Sequence, residues 1–228
     1  MKNIARALKR FIKTLTQTKA ERRHEMVGPS HIWKMQRDFQ IQFLKTMNLL
    51  PDHYLLDIGC GTLRGGIPLI AYLKDGHYFG VEARAEVLDE GRKELREADL
   101  GEKNPTLLHS PDISQLTINQ KFDYIWAFSV LIHMNDEILN QALNFVSNHL
   151  SEEGEFYANV DIGEKKERSW LEFPAVTRPL EFYRHACAKN SLAVSDLGSL
   201  KDHGHPLPNQ ATLESQRMLR ITKKIEKA

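Results

Sequence analysis

Residues 54–66 read Tyr-Leu-Leu-Asp-Ile-Gly-Cys-Gly-Thr-Leu-Arg-Gly-Gly, a short apolar strand that runs straight into a glycine turn and then a helix. Glycines at 59 and 61 let the backbone approach a ligand with no Cβ in the way. The next apolar run, His77-Tyr78-Phe79-Gly80-Val81-Glu82, closes on an acid. Its separation from the turn is about the 20 residues at which a carboxylate reaches a ribose diol in nucleotide-binding βαβ units. A glycine pair alone is a weak signal, since any tight turn after a strand looks the same. Strand, turn, helix and spaced acid together predict a parallel βαβ unit with an adenosine-type ligand at its carboxyl edge.

The rest of the chain continues the alternation of short apolar strands and amphipathic helices. Seven strands are expected, at 54–58, 78–82, 106–109, 122–128, 155–160, 192–195 and 217–222. Between them, 85–98 puts Val87, Leu88, Gly91 and Leu95 on one helical face, and 136–150 opens on Asn135 with acids in its first turn. Pro179 opens a third helix that Asn190 closes. Residues 196–216 are rich in Gly, Pro, His and Asn without helical period, so the final strand is expected antiparallel to its neighbour. Residues 161–179 mix charges and aromatics with no period; they read as a cover over the substrate, or as a surface loop whose Trp170 and Phe173 plug the core.

Upstream, Gly28-Pro29-Ser30 separates two helical patterns. Ser30 is expected to cap the second, whose Ile32, Met35, Phe39, Phe43 and Met47 share a face, and Pro51 ends it. The first sets Ile4, Leu8, Phe11, Ile12 and Leu15 at helical spacing, with Lys2, Arg6, Lys9, Arg10 and Lys13 between them. It reads either as a peripheral contact with an anionic membrane or a transit peptide, or as a helix packed on the domain with its lysines solvated. The expected division is an N-terminal helical extension or lid over 1–50 and one α/β domain over 51–228.

A chain of 228 residues, 41% hydrophobic, can bury one substantial core. No stretch approaches the roughly 18 apolar residues of a membrane span. The basic start lacks the apolar core of roughly 7 to 15 residues that marks a secretory signal. A soluble cytoplasmic protein, at most peripheral to a membrane, is expected. Cys60 and Cys187, the two cysteines, form neither a disulfide framework nor a metal-ligand pattern. The net charge of +1 hides +6 in residues 1–25 and −5 in the remainder. An acidic body argues against nucleic acid, which calls for a basic face on the folded domain.

Asp57 separates two ligands for the glycine turn. A carboxylate there repels a dinucleotide's pyrophosphate and attracts a cation. S-adenosylmethionine, with a sulfonium, an ammonium and no phosphate, has the matching sign. From about Pro51 to Lys223 the chain resembles the class I S-adenosylmethionine-dependent methyltransferase family, most specifically in Leu56-Asp57-Ile58-Gly59-Cys60-Gly61-Thr62. The resemblance implies a Rossmann-like three-layer α/β sandwich on a seven-stranded, mostly parallel sheet of order 3-2-1-4-5-7-6, with the last strand antiparallel. It also implies S-adenosylmethionine as cofactor. Asp57, Gly59, Cys60 and Gly61 would line its methionine end, Glu82 would bind the ribose hydroxyls, Asp112 and Ile113 would flank adenine, and Phe128 would approach the cofactor. The chain departs from the family at Leu63, where members often carry a third glycine, and has Gly65 and Gly66 instead. Arg64 reads as a partner for the methionine carboxylate or as a surface arginine opening a helix.

Methyl transfer to a hydroxyl calls for a base near neutrality. His133 follows the fourth strand and His203 and His205 follow the sixth, so these three are the candidate catalytic residues; His133 reads equally as a core or capping histidine. His203-Gly204-His205 lacks the third ligand of a zinc site, and no metal is expected. The expected partner is a small-molecule or glycan-type acceptor, methylated at oxygen or nitrogen. Ala127-Phe128-Ser129-Val130 stands where an Asn-Pro-Pro-Tyr clamp for base amines would be. Two alternatives share the glycine turn: a nicotinamide-dependent oxidoreductase, which Asp57 opposes, and a non-catalytic cofactor-binding protein on the same fold.

Overall fold

The computed structural model describes residues 18–170, 173–205 and 214–224. The basic helix expected near residues 4–15 lies outside them. The strands are β1 (Leu55–Ile58), β2 (Tyr78–Glu82), β3 (Thr106–His109), β4 (Phe122–Ala127), β5 (Leu150–Ile162), β6 (Lys166–Trp170), β7 (Phe173–Arg178), β8 (Leu192–Ser199) and β9 (Gln216–Lys223). The helices are α1 (Lys19–Glu25), α2 (Trp33–Thr46), α3 (Gly66–Tyr72), α4 (Ala85–Glu97), α5 (Asp136–His149) and α6 (Leu180–Lys189).

The first five strands run parallel in the order β3-β2-β1-β4-β5. β9 lies antiparallel to both β5 and β8, so the expected order recurs with β9 and β8 as its last two members. Successive side chains of each strand point to opposite faces of this sheet, and both faces are buried under helices. Leu56, Ile125, Phe156 and Ala158 meet Leu139 and Val146 of α5 and Tyr183 and Cys187 of α6. On the other face Leu55, Tyr78, Tyr124, Trp126 and Tyr157 meet Phe39 and Leu44 of α2, Leu69 of α3 and Leu88 of α4. α2 is therefore part of the core: Leu44 is fully buried, Phe43 nearly so, and each such side chain contributes about 1.5–3 kcal/mol.

Several local expectations need correction. Ser30 does not cap α2; it opens a 3-10 turn, Ser30–Ile32, and its hydroxyl donates to Glu25 Oε1 at 3.2 Å. Met35 is 39% exposed and off the buried face. β5 begins at Leu150 because Leu150 pairs with Phe122 before a register shift, and the polar Ser151-Glu152-Glu153-Gly154 hides that start in the sequence. The largest addition is the antiparallel pair β6–β7, whose end runs parallel to β5 at Asp161–Thr177 and Ile162–Arg178. Its charged Lys166, Glu167 and Arg168 suit an exposed edge strand and leave no apolar alternation to read. Asn135 caps α5 through its Oδ1 on the Ile138 N–H at 2.9 Å, as its position suggests. No described helix is long and apolar enough to cross a membrane.

Candidate functional site

The carboxyl ends of β1, β2 and β4 open into one cavity of about 500 Å3. Its floor is the turn after β1. Gly59 and Gly61 have φ of +72° and +58°. A Cβ on Gly59 would lie 2.5 Å from Val130 Cγ2, and one on Gly61 2.8 Å from Val27 Cγ1. Torsion and space both require glycine at these two positions. The Gly59 and Cys60 N–H groups donate to the Val81 carbonyl at 2.7 and 3.0 Å, which ties the turn to β2.

Leu63 adopts φ +61°, the left-handed conformation that suits glycine and costs another residue roughly 1–2 kcal/mol. Its side chain is fully buried in space vacated by Gly66 and Gly91. A Cβ on Gly66 would lie 2.8 Å from Leu63 Cδ2, and one on Gly91 3.1 Å from Leu63 Cγ. The turn keeps its path through the departure at 63 because glycines on α3 and α4 stand back, and burial of the leucine offsets the backbone strain.

Two carboxylates flank the turn. Asp57 is 3% exposed and accepts the Tyr78 hydroxyl at 2.7 Å. Burial pushes its pKa up to about 7 against the Tyr78 hydrogen bond, with repulsion from Glu82 and attraction from Arg64 as smaller influences. At neutral pH it is poised between its two forms, and a cation beside it favours the ionised one. Glu82 accepts the Gly61 N–H on Oε2 and the Arg84 N–H on Oε1, each at 3.0 Å. Those two bonds orient the carboxylate; Oε1 also accepts a long hydrogen bond from Arg84 Nε at 3.5 Å, while Oε2 retains a further lone pair.

Cys60, Ile113 and Phe128 line the same cavity. Asp112 does not: it is exposed, and its carboxylate accepts the Ser114 N–H at 2.9 Å and hydroxyl at 2.6 Å, capping the 3-10 turn Ile113–Gln115. Ser110 and Pro111 line the cavity beside Ile113 instead. Ser129, next to Phe128, holds φ +58°, and its N–H donates at 2.6 Å to Oδ1 of the fully buried Asn159. Strain of this kind, about 1–3 kcal/mol, persists where the surroundings over-determine a residue.

The three histidines separate. His133 lines the cavity, with Nδ1 2.7 Å from the Pro174 carbonyl of β7. A carbonyl only accepts, so Nδ1 carries the proton and Nε2 the lone pair of the neutral ring. Burial is the chief influence lowering its pKa, which keeps the ring neutral at pH 7. His203 and His205 lie off the cavity lining. His203 Nε2 donates to the Leu197 carbonyl at 3.0 Å, and its ring meets Phe43 edge-on. His205 packs against Phe39 and Phe128 at ring separations of 4.5 and 5.6 Å, and burial pushes its pKa down to about 4. Both residues follow β8 as the sequence suggests, but α2 covers the sheet there and they pack against its phenylalanines.

The sequence offers 1–50 as a lid and 161–179 as a cover over the substrate, without singling out the residues that roof the cavity. Val27, Gly28 and Pro29, between α1 and α2, form one part, and Phe173 and Ala175 of β7 another. Arg84 touches both, donating to the Met26 carbonyl at 3.3 Å and lying 5.4 Å over the Phe173 ring. Arg64 is 9% exposed, not a surface residue, and donates to the Val27 carbonyl at 3.0 Å and to Gln36 Oε1 at 2.5 Å. Burial lowers its pKa to about 10. The available signal was Gly28-Pro29, which by itself reads only as a break between helices.

Comparison with known proteins agrees with this geometry. A family model described as a methyltransferase domain matches residues 56–156. A demethylmenaquinone methyltransferase from Listeria welshimeri is 27% identical over 122 residues, 49% of this chain and 51% of that protein. An uncharacterized methyltransferase from Schizosaccharomyces pombe is 27% identical over 118 residues, 49% of this chain and 41% of that protein. The chain thus spans about half the length of the curated relatives it matches. Among solved structures, a magnesium protoporphyrin IX methyltransferase from Synechocystis with bound S-adenosylmethionine superposes with a TM-score of 0.65 at 16% identity, covering 95% of this chain and 97% of that one. An S-adenosylmethionine-dependent methyltransferase from Clostridium acetobutylicum gives 0.64 at 19%, covering 85% and 92%. The structural likenesses establish the fold, and the family-model match takes in the glycine turn and Glu82. Over residues 56–156 the chain is thus similar to the methyltransferase-domain family, and it shares the fold of S-adenosylmethionine-dependent methyltransferases.

Proposed function

We propose that the protein binds S-adenosylmethionine in this cavity and transfers its methyl group to a small-molecule acceptor. The observation that carries the reading is the pair of buried carboxylates, Asp57 and Glu82, on either side of a left-handed glycine turn in one cavity. Their sign favours a cationic nucleoside and opposes the pyrophosphate of a nicotinamide dinucleotide.

When bound, S-adenosylmethionine supplies an electrophilic methyl group on a sulfonium. Asp57, oriented by Tyr78, complements the positive charge of the methionine end, and Gly59, Cys60 and Gly61 give that end access to the backbone. Glu82 takes the ribose hydroxyls. Ile113 lies against adenine, with Asp112 shaping its turn, and Phe128 flanks the reacting end. Arg64 suits the methionine carboxylate: it is a buried cation whose Nε has no hydrogen-bond partner among the described residues.

A hydroxyl acceptor must lose its proton as the new bond forms, whereas a neutral amine can lose it afterwards. His133 accepts that proton at Nε2. Ile132, Met134, Ile138 and Phe173 make the wall beside it apolar, which favours an acceptor with apolar surface over a bare glycan. The names of similar proteins point the same way, to demethylmenaquinone, a porphyrin and a glycopeptide. Of the residues before 51, α2 serves the core, while α1 and residues 26–29 serve as a lid.

Calorimetry tests the cofactor. S-adenosylmethionine and S-adenosylhomocysteine are expected to bind and nicotinamide dinucleotides not; the reverse result assigns an oxidoreductase. A metabolite extract incubated with methyl-labelled donor then reveals the acceptor. Tight cofactor binding with no labelled product makes the protein a binder without turnover.

A further inference from the structure

Arg23 sits on a short helix at the edge of the fold, yet it is 5% exposed. Its guanidinium meets three carboxylates of α4. Nε lies 3.0 Å from Glu90, Nη1 3.0 Å from Glu94, and Nη1 and Nη2 lie 2.7 and 2.9 Å from the two oxygens of Glu97. Glu90, Glu94 and Glu97 recur at helical spacing, so their face of α4 repels itself until a cation joins it. His24 adds to the contact, with Nε2 3.2 Å from Glu94 and its ring stacked on Trp33 at 3.8 Å.

What this cluster holds in place is the chain that follows. α1 ends at Glu25, and after Met26 the chain lines the cavity with Val27, Gly28 and Pro29. The Met26 carbonyl is bound by Arg84 and the Val27 carbonyl by Arg64, and the Val27 side chain sits where a Cβ on Gly61 would be. α4 begins three residues after Glu82, so the acidic face that grips Arg23 and the carboxylate assigned to the ribose hang from one β2–α4 unit.

We propose that Arg23 is a positioning residue for the cofactor: it clamps α1 to α4 and thereby holds residues 26–29 shut over the glycine turn, so that an adenosyl ligand enters and leaves only when this strap lifts. The proposal rests on the cofactor reading above. Because Arg23 does not line the cavity, it acts on the rate of exchange through the strap rather than on contacts with the ligand.

The test uses the full chain and S-adenosylhomocysteine as probe, with dissociation followed by rapid displacement. Arg23→Ala is expected to speed dissociation about tenfold. Arg23→Lys should fall between it and the wild type, since an ammonium cannot match a guanidinium fork against three carboxylates. A wild-type dissociation rate in Arg23→Ala, with only the thermal midpoint lowered, makes the cluster merely structural and overturns the proposal. If Arg23→Ala does not fold, hydrogen exchange on the wild type decides: the Val27 and Gly28 amides should exchange about tenfold more slowly with the probe bound, and unchanged exchange overturns it. A wild-type protein that binds neither S-adenosylhomocysteine nor S-adenosylmethionine overturns the cofactor reading itself and the strap with it, an outcome distinct from normal binding with unaltered release.

Discussion

In the floor of the cavity, the bonds that set the two carboxylates, Tyr78 to Asp57 and Gly61 to Glu82, each join residues 21 positions apart. In the roof, Arg64 reaches Val27 across 37 positions, Arg84 reaches Met26 across 58, and Arg23 reaches Glu97 across 74. The floor is thus made inside one βαβ unit, while the roof draws on the N-terminal segment and the β6–β7 pair. Floor residues present carboxylates and backbone to the cavity. Roof residues bind main-chain carbonyls and a ring face, contacts that can be broken and remade. The contrast assigns ligand identity to the floor and ligand exchange to the roof.

The strongest way to break this contrast is Glu82→Ala. On the proposed reading Glu82 makes two charge-assisted hydrogen bonds to the ribose, each worth about 1.5–3 kcal/mol, so the variant should weaken S-adenosylmethionine binding by roughly 100-fold or more. Calorimetry that finds less than about a threefold loss would take Glu82 out of the site. Close in size is His133→Gln, expected to cut turnover on a hydroxyl acceptor about 100-fold while leaving cofactor affinity alone. Full turnover in that variant removes the base, and a loss of cofactor affinity instead places His133 in the floor.

Asp57→Asn should weaken the cofactor on the order of tenfold, and it sharpens the comparison through pH. The cofactor favours the ionised carboxyl, so wild-type affinity should fall as pH drops through about 7 and stay flat in the variant. Stability has the opposite sign. The folded pKa lies above the unfolded value of about 3.9, so the stability it confers is full at low pH and is lost as pH rises toward about 7. At pH 8 the Asn variant should therefore unfold later than the wild type, by on the order of 2 kcal/mol in denaturant titration. An earlier unfolding midpoint would show that Asp57 is not held against its solvation. The smallest effect belongs to the roof: Phe173→Ala loses a cation–π contact of about 0.5–1 kcal/mol, and should raise the cofactor Kd only about two- to fivefold. A loss as large as that of Glu82→Ala would erase the distinction.

Legibility followed the same division. The strand–turn–acid unit, seven strands and the antiparallel end all rest on period and spacing over short windows. Leu63 shows the limit: its identity suggests an altered turn, yet the backbone takes the left-handed conformation because Gly66 on α3 and Gly91 on α4 leave room. Asp112 stands along the chain where the family resemblance implies an adenine neighbour, but a nearby Ser114 offers its carboxylate two local hydrogen bonds. Strand order alone puts His203 and His205 at the carboxyl edge, and only packing shows that the phenylalanines of α2 cover that part of the sheet. The β6–β7 pair escaped because an edge strand needs no apolar face and leaves no period.

By itself the sequence determined the parallel sheet, the acid-flanked glycine turn and hence the sign of the ligand, because each depends on residues close along the chain whose torsions and charges act locally. Only the tertiary structure decided which histidine reaches the cavity, that Arg64 is buried, and that Arg23 and Arg84 close a roof over it. Those outcomes depend on which surfaces meet when distant segments pack, and burial sets the strength of a charge far more than its identity does.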